Sequence, residues 1–221
     1  MAPKKAVGAT SAMAKRRDER RRAERRASDE RWLAILEAGS RVFRKLGYAH
    51  ATLEDVAREV GINRATLYYY VADKEELLIA ILDEPVHRMT SDLREIAALP
   101  LPPADRLRRA VMAHMRALEE NYPELFVFLA ENLHVLTIGS DRDIQKNAHE
   151  YGVLMTALIE DGIAAGELRN DIDPRLATLG LIGMLNWSHR WYTPNGDKTL
   201  PEIGEQFAAV FLDGLRSSSS H

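Results

Sequence analysis

Between residues 52 and 77 the chain carries helix start and stop signals so closely spaced that only short helices fit between them. Thr52 with Asp55 three residues on is a capping-box pattern, which satisfies backbone donors that the first turn of a helix leaves unpaired. Leu53, Val56, Ala57 and Val60 then share one helical face before Gly61, a residue suited to the left-handed turn that ends a helix. Asn63 is a good N-cap for a third helix over about 64–71, and Asp73 with Glu76 opens a fourth at Lys74. Upstream, Trp32, Ile35, Leu36, Val42, Phe43 and Leu46 recur at helical spacing up to Gly47, which marks helix one.

Beyond residue 74 the elements lengthen. No stretch alternates like a strand bounded by hairpin turns, so the fold class is all-α. One long helix is expected from Lys74 to about 98, bent near Pro85 because proline removes a backbone donor and crowds the preceding turn. Further helices are expected at about 103–120, 123–136, 141–166, 174–192 and 201–215, separated by proline- and glycine-containing stretches, which makes about nine in all.

Composition narrows the classes. The chain has no cysteine, which removes disulfide frameworks, thiolate metal sites and cysteine nucleophiles and suits a reducing cytosol. The longest apolar run, 176–185, is about half of what a membrane span needs, and the N-terminus lacks an apolar signal core, so a cytoplasmic protein without a membrane partner is expected. Charge is uneven: residues 1–31 carry a net +6 and the remainder a net −9. That division describes a basic, disordered arm over 1–28 that seeks polyanions, a helical domain over 29–83, a second helical domain over 84–216, and a disordered tail over 217–221.

A helix, a sharp glycine turn and a second helix with polar residues at its start form a helix-turn-helix, whose second helix lies in the major groove of DNA. Val56, Ala57, Val60, Ile62, Leu67 and Val71 are its expected internal contacts. Asn63, Arg64 and Thr66 then sit at the groove-facing end: arginine pairs bidentately with guanine, asparagine with adenine, and threonine offers a hydroxyl or a methyl. Tyr68 and Tyr69 are candidates for hydroxyl contacts to phosphate, with Lys74 beyond them and Thr52 at the start of the second helix completing the set. Three consecutive tyrosines, Tyr68 to Tyr70, point about 100° apart on a helix and do not share a face.

The segment TLEDVAREVGINRATLYYYVADKEELL, with its glycine turn, Leu-Tyr pair and Lys-Glu-Glu-Leu opening of the fourth helix, resembles the DNA-binding domain of TetR-family transcriptional regulators over about residues 29–83. It departs from the common pattern at Val71, where the family often has phenylalanine, and at Tyr70, where it often has histidine. The resemblance implies a homodimer, usually a repressor, that binds a pseudo-palindromic double-stranded operator and carries a ligand-binding and dimerisation domain. The segment GMLNWSHRWYTPNGD, 183–197, resembles a branch of that family responding to acyl-CoA thioesters, which implies a small amphipathic effector of that class.

Read from the residues alone, Trp187 and Trp191 stand four apart with Arg190 between them and Asn186 beside them, an aromatic-plus-cation arrangement suited to an amphipathic anion; core or dimer packing is the competing reading. Met112, Met115, Phe126, Leu129 and Met155 are further candidates for the ligand pocket. Helices 174–192 and 201–215 are apolar nearly all round, through Leu176, Leu179, Leu181, Ile182, Met184 and Leu185 on one and Phe207, Val210, Phe211 and Leu212 on the other. Burial on several sides is needed, and a dimer provides it.

Two rival classes each fit part of the chain. Glu84 with His87 and Glu131 with His134 have the Glu-x-x-His spacing of di-metal carboxylate bundles, with Glu120 and Glu160 as further ligands, but Pro85 interrupts the first pair and chance pairs are expected among 33 acids and seven histidines. A nonspecific DNA-compacting protein explains the arm but not the large apolar body. No phosphate-binding loop, dinucleotide fingerprint, nucleophile elbow or zinc-protease motif occurs, so no catalytic residue, metal or cofactor is expected. Removing residues 1–28 is expected to weaken binding to duplex DNA and flatten its salt dependence while leaving sequence preference intact, measured by fluorescence anisotropy across a salt series. A changed preference would instead give the arm a base-reading role.

Overall fold

The computed structural model describes the backbone of residues 7–131 and 143–216, with side chains over 26–130 and 144–216. The described residues form nine α-helices and one 3₁₀ turn. The chain divides into two compact units, with the boundary after Leu77, a little before the residue 83 expected from sequence.

The first unit contains α1 (Val7–Leu46), α2 (Leu53–Val60) and α3 (Arg64–Tyr70), together with the first turn of α4 (Lys74–Ala97). Helix α1 begins far upstream of residue 29, where the sequence reading set the end of a disordered arm. Residues 9–31 hold neither glycine nor proline and are dominated by alanine, arginine and glutamate, so intrinsic helix propensity runs on through a segment whose charge alone suggested disorder. Ile35, Ala38, Val42 and Phe43 are the buried face of α1, packed with Val56 and Ala57 of α2, Leu67 of α3 and Val71. Gly47 and Gly61 have φ values of 75° and 78°, the left-handed conformation that the two stops require.

The second unit contains the rest of α4, then α5 (Pro103–Glu120), α6 (Glu124–Glu131), α7 (Asp143–Ala164), α8 (Pro174–Asn186), a 3₁₀ turn (Trp187–Arg190) and α9 (Leu200–Leu215). Helix α4 continues through Pro85 as a single element. Helix α5 is the axis of the unit: its stripe Leu107, Ala110, Val111, His114, Met115 and Leu118 is entirely buried, and it packs against α9, α7 and α8. The single helix expected over 174–192 ends at Asn186 and tightens into the 3₁₀ turn, so Trp187 and Trp191 are not on one α-helical face. The stretch expected to continue α6 to about 136 lies outside the described residues.

The α5–α9 contact depends on a missing side chain. Gly204 of α9 is buried, and a Cβ there would lie 2.9 Å from Met115 Cγ, 3.2 Å from Met115 Cβ and 3.4 Å from Met112 Sδ. Because Met115 Cβ cannot swing aside, the helices themselves have to separate. Gly204→Ala is therefore expected to cost about 1–3 kcal/mol by overpacking, read as a lower denaturant midpoint, with partial recovery in the Gly204→Ala, Met115→Ala double variant.

Candidate nucleic-acid interface and effector cavity

The α2–α3 unit is fixed by local polar chemistry. Thr52 Oγ1 accepts from the Asp55 backbone N–H at 3.2 Å, and Asp55 Oδ2 accepts from the Thr52 N–H at 3.1 Å and its hydroxyl at 2.6 Å. These bonds from Thr52, with Arg58 adding a further one, hold the Asp55 carboxyl below the usual carboxylate range. At the start of α3, Asn63 Oδ1 accepts from both the N–H and the hydroxyl of Thr66, at 2.8 and 3.0 Å. The capping roles expected of Thr52 and Asn63 are thus present.

Arg64 is exposed but preset in direction. Its Nε lies 2.9 Å from Glu54 Oε1, Nη2 donates to the Tyr68 hydroxyl at 3.3 Å, and the guanidinium stands 5.1 Å from the Tyr68 ring centre. An exposed pair of this kind contributes little to stability, so its partner can be exchanged for a base edge or a phosphate at small cost. The three tyrosines divide their work. Tyr70 stacks on Trp32 of α1 at 5.9 Å with planes 12° apart, Tyr69 is 84% exposed, and Tyr68 is 41% exposed beside Arg64. Lys74 stands differently from the other candidates: its ammonium donates to the carbonyls of Tyr48 at 2.5 Å and Ala51 at 3.1 Å and lies 4.4 Å from the Tyr48 ring centre, so it ties down the loop after α1.

In the second unit, a cavity of about 140 Å³ is lined by Val86, Met89 and Thr90 of α4, His114 and Leu118 of α5, Leu125, Phe128 and Leu129 of α6, Ile144, Ala148 and Tyr151 of α7, and Ile182 and Asn186 of α8. Its polar element is a relay. Tyr151 Oη lies 2.9 Å from His114 Nδ1, and His114 Nε2 lies 2.9 Å from Asn186 Oδ1. A neutral imidazole has one donor and one acceptor, so the tyrosine hydroxyl donates to Nδ1 and Nε2–H donates to the asparagine oxygen. Burial pushes His114 down to about 4, against a smaller upward effect of the Asn186 bond, and burial raises the Tyr151 phenol well above its ordinary value.

A larger hollow of about 340 Å³ lies between α4 and α5, and Glu84, Arg88, Asp92, Arg116 and Glu120 make its lining charged. Glu84 is exposed there and His87 is exposed nearby, while the side chains of Glu131 and His134 lie outside the described residues. Among the described residues no three His, Cys, Asp or Glu side chains come together as a metal site. No helix among them is long and apolar enough to cross a membrane.

Of the ligand-pocket residues expected from sequence, Leu129 and Asn186 line the cavity. The others stand elsewhere. Met112 and Met115 face Gly204 in the α5–α9 contact, Met155 is fully buried away from the cavity lining, and Phe126 packs edge-on against Tyr122 and Tyr192 at 5.0 and 5.8 Å. Trp187 and Trp191 are 59% and 49% exposed, Arg190 lies over Trp187, and Trp191 meets Phe207. The break to a 3₁₀ turn after Asn186 is what turns these aromatics away. The residues missed were His114 and Tyr151; the available signal was a histidine set in the otherwise apolar buried stripe of α5.

Two family models match this chain. One, described as "Bacterial regulatory proteins, tetR family", covers residues 35–81, and the other, "Tetracyclin repressor-like, C-terminal domain", covers residues 100–215, about half of the sequence. The chain belongs to the TetR family. As a TetR-family member it is a DNA-binding transcriptional regulator, and α2–α3 is its helix-turn-helix. It is similar to the "HTH-type transcriptional repressor KstR2" of Mycobacterium tuberculosis, 26% identical over 182 residues that cover 82% of this chain and 90% of the relative. A TetR/AcrR-family regulator from Thermobifida fusca superposes with a TM-score of 0.66 at 31% identity, over 85% of this chain and 100% of the other. The structure of AibR in complex with isovaleryl coenzyme A and operator DNA matches the fold with a TM-score of 0.66 at 23% identity, over 84% and 98% of the two chains.

In this TetR-family chain the buried imidazole couples stability to pH. The folded value of His114, about 4, lies below the ordinary 6.5, so the unfolded state binds the proton more readily. Stability is therefore full above about pH 6.5 and falls as pH drops toward 4, a loss approaching about 3 kcal/mol by the lower end. Denaturant midpoints at pH 7 and pH 4.5 measure it, and His114→Gln is expected to remove much of the difference between them.

Proposed function

We propose that this regulator is a homodimeric repressor that reads a pseudo-palindromic operator through α3 and releases it when an acyl-CoA thioester occupies the α4–α8 cavity. The observation that carries the reading is the pairing, in one chain, of an outward Arg64–Tyr68–Tyr69 edge with a mainly apolar cavity whose wall is broken by a single hydrogen-bonding relay.

On the DNA side, Arg64 is the base-reading candidate, Thr66 and Asn63 flank it at the helix start, and Tyr68, Tyr69 and Thr52 contact phosphate. Lys74 serves chiefly to hold the loop behind them. The homodimer is supported by apolar side chains left in the open on α8 and α9: Leu176, Leu179 and Val210 are 66%, 61% and 68% exposed. A twofold through these helices covers them and gives two reading helices for the two halves of an operator. The effector class is supported by similarity of fold to AibR, whose structure is described with isovaleryl coenzyme A.

Coupling is assigned to α4. Val86, Met89 and Thr90 of that helix line the cavity, and its first turn belongs to the DNA-reading unit. An effector that favours one setting of α4 and an operator that favours another weaken each other's binding by the same factor. Selection from random duplexes with the full chain is expected to return a pseudo-palindrome, with Arg64→Ala losing preference at one base pair per half-site and about 1–3 kcal/mol of affinity, while Tyr69→Phe weakens all sequences alike. Indifference of the unmodified protein to duplex sequence at modest salt would overturn the reading.

A further inference from the structure

The effector cavity has a chemistry of its own, which deepens the acyl-CoA assignment and rests on it. Among the described residues its lining includes no lysine, arginine, aspartate or glutamate, and its polar side chains are Thr90, His114, Tyr151 and Asn186. The Thr90 hydroxyl is within bonding distance of the carbonyls of Val86 and Asn147, at 3.0 and 3.1 Å, and is occupied there. Tyr151 and His114 are occupied by each other and by Asn186. That leaves Asn186. Its oxygen accepts from His114, which fixes the amide plane, and its Nδ2 has no protein partner among the described residues.

Either direction of the relay leaves one donor over, and the observed direction places it on Asn186. If the amide were turned over, Nδ2 would donate to His114, the imidazole would donate to Tyr151, and the phenol hydrogen would be the one left over. In both arrangements the relay ends in a hydrogen-bond donor with no acceptor from the protein. A donor that faces an apolar cavity keeps a partner when a ligand supplies an acceptor and loses one when hydrocarbon covers it, so a ligand with an acceptor is selected over one without. An anion is disfavoured beside the described lining residues, because none of them is a cation and burying a carboxylate among neutral groups carries a large desolvation penalty.

Volume sets the remaining condition. A cavity of about 150 Å³ holds benzene, and this one measures about 140 Å³, so the space between its described walls matches a short or branched group better than a long alkyl chain. Met89 borders this cavity, the charged hollow outside, and a small void between them that His114 and Tyr151 also line. Met89 is thus the flexible partition between an uncharged inner chamber and a polar outer one.

We infer that the cavity takes the short, uncharged acyl end of a thioester, whose carbonyl oxygen accepts from the Asn186 amide that His114 and Tyr151 hold in place, while the polar arm passes Met89 to the outer hollow. Asn186 reads the carbonyl, and the walls limit chain length.

Calorimetric titration of the full chain tests this with five probes: isovaleryl-CoA, isopentyl-CoA (the thioether without the carbonyl oxygen), isovalerate, palmitoyl-CoA and coenzyme A alone. Isovaleryl-CoA is expected to bind most tightly, with the thioether about 10- to 100-fold weaker. In Asn186→Leu that gap closes, because the thioester loses the partner that set it apart. Ala148→Phe, which fills the chamber from α7, is expected to lose isovaleryl-CoA while keeping its helical circular dichroism and melting transition; unchanged affinity in that variant places the acyl group elsewhere. Equal binding of the thioether overturns the carbonyl assignment, equal binding of isovalerate overturns the requirement for an uncharged acyl group, and tighter binding of palmitoyl-CoA overturns the size limit. Binding of no acyl-CoA beyond the coenzyme A level overturns both the effector class and this inference.

Discussion

The second unit is organised around the requirement that α5 be buried on every side it presents to its neighbours. Six residues of that helix form an unbroken buried stripe, and three other helices close over it. Two departures from a purely apolar stripe then become intelligible. Gly204 removes a side chain so that α9 can approach Met115, and His114 inserts a polar ring that the apolar surroundings tolerate because both nitrogens are bonded. An unpaired imidazole there would destabilise the unit; a paired one fixes α5, α7 and α8 at a common point. The same satisfaction leaves the relay with one donor to spare, at the wall of the cavity, so the packing solution and the recognition chemistry are one arrangement.

The first unit obeys a different economy. Its helices are short, seven and eight residues for α3 and α2, and helices of that length do not persist on propensity alone. They are held by caps at their ends and by a few buried side chains, chiefly Leu53, Val56, Ala57, Leu67 and Val71. Because the caps already engage Thr52, Asn63 and Thr66, the side chains with the least internal bonding on this edge are Arg64, Tyr68 and Tyr69. The contacts of Arg64 with Tyr68 and Glu54 restrict the rotamers of its guanidinium, which lowers the ordering cost of any specific contact it makes.

This division explains what could be read from the sequence. Caps and stops are encoded within four or five residues, so the boundaries of α2, α3 and α4 were legible to within a residue or two, and the Thr52–Asp55 and Asn63–Thr66 bonds were foreseeable. The TetR resemblance, carried by the same segment, supplied the family. The cavity was less legible because its members come from five helices separated by up to a hundred residues, and periodicity shows which face is buried without showing what it meets. Met115 and Met155 looked like pocket residues for the same reason that they are core residues. Helix α1 ran past its expected start because net charge and helix propensity point in opposite directions over residues 9–31, and propensity prevailed. The change to a 3₁₀ turn at Trp187 had no sequence marker at all: no glycine or proline stands there, and the aromatic pair that it separates had looked contiguous.

The position of the relay on α5, not α4, bears on how a cavity ligand can act. If the hydrogen-bonding group were on α4, binding energy and the shift of that helix would be tied to the same contact, and tighter effectors would always be stronger ones. Here the proposed carbonyl contact lies with Asn186 of α8, held by His114 of α5, whereas α4 contributes Val86 and Met89, which offer only bulk, and Thr90, whose hydroxyl is already held. Affinity and displacement are therefore separable: the relay selects the ligand, and its volume against Val86 and Met89 sets how far α4 is biased. A ligand that satisfies Asn186 but fills little space binds without releasing DNA, since a ligand of equal affinity for two states shifts neither.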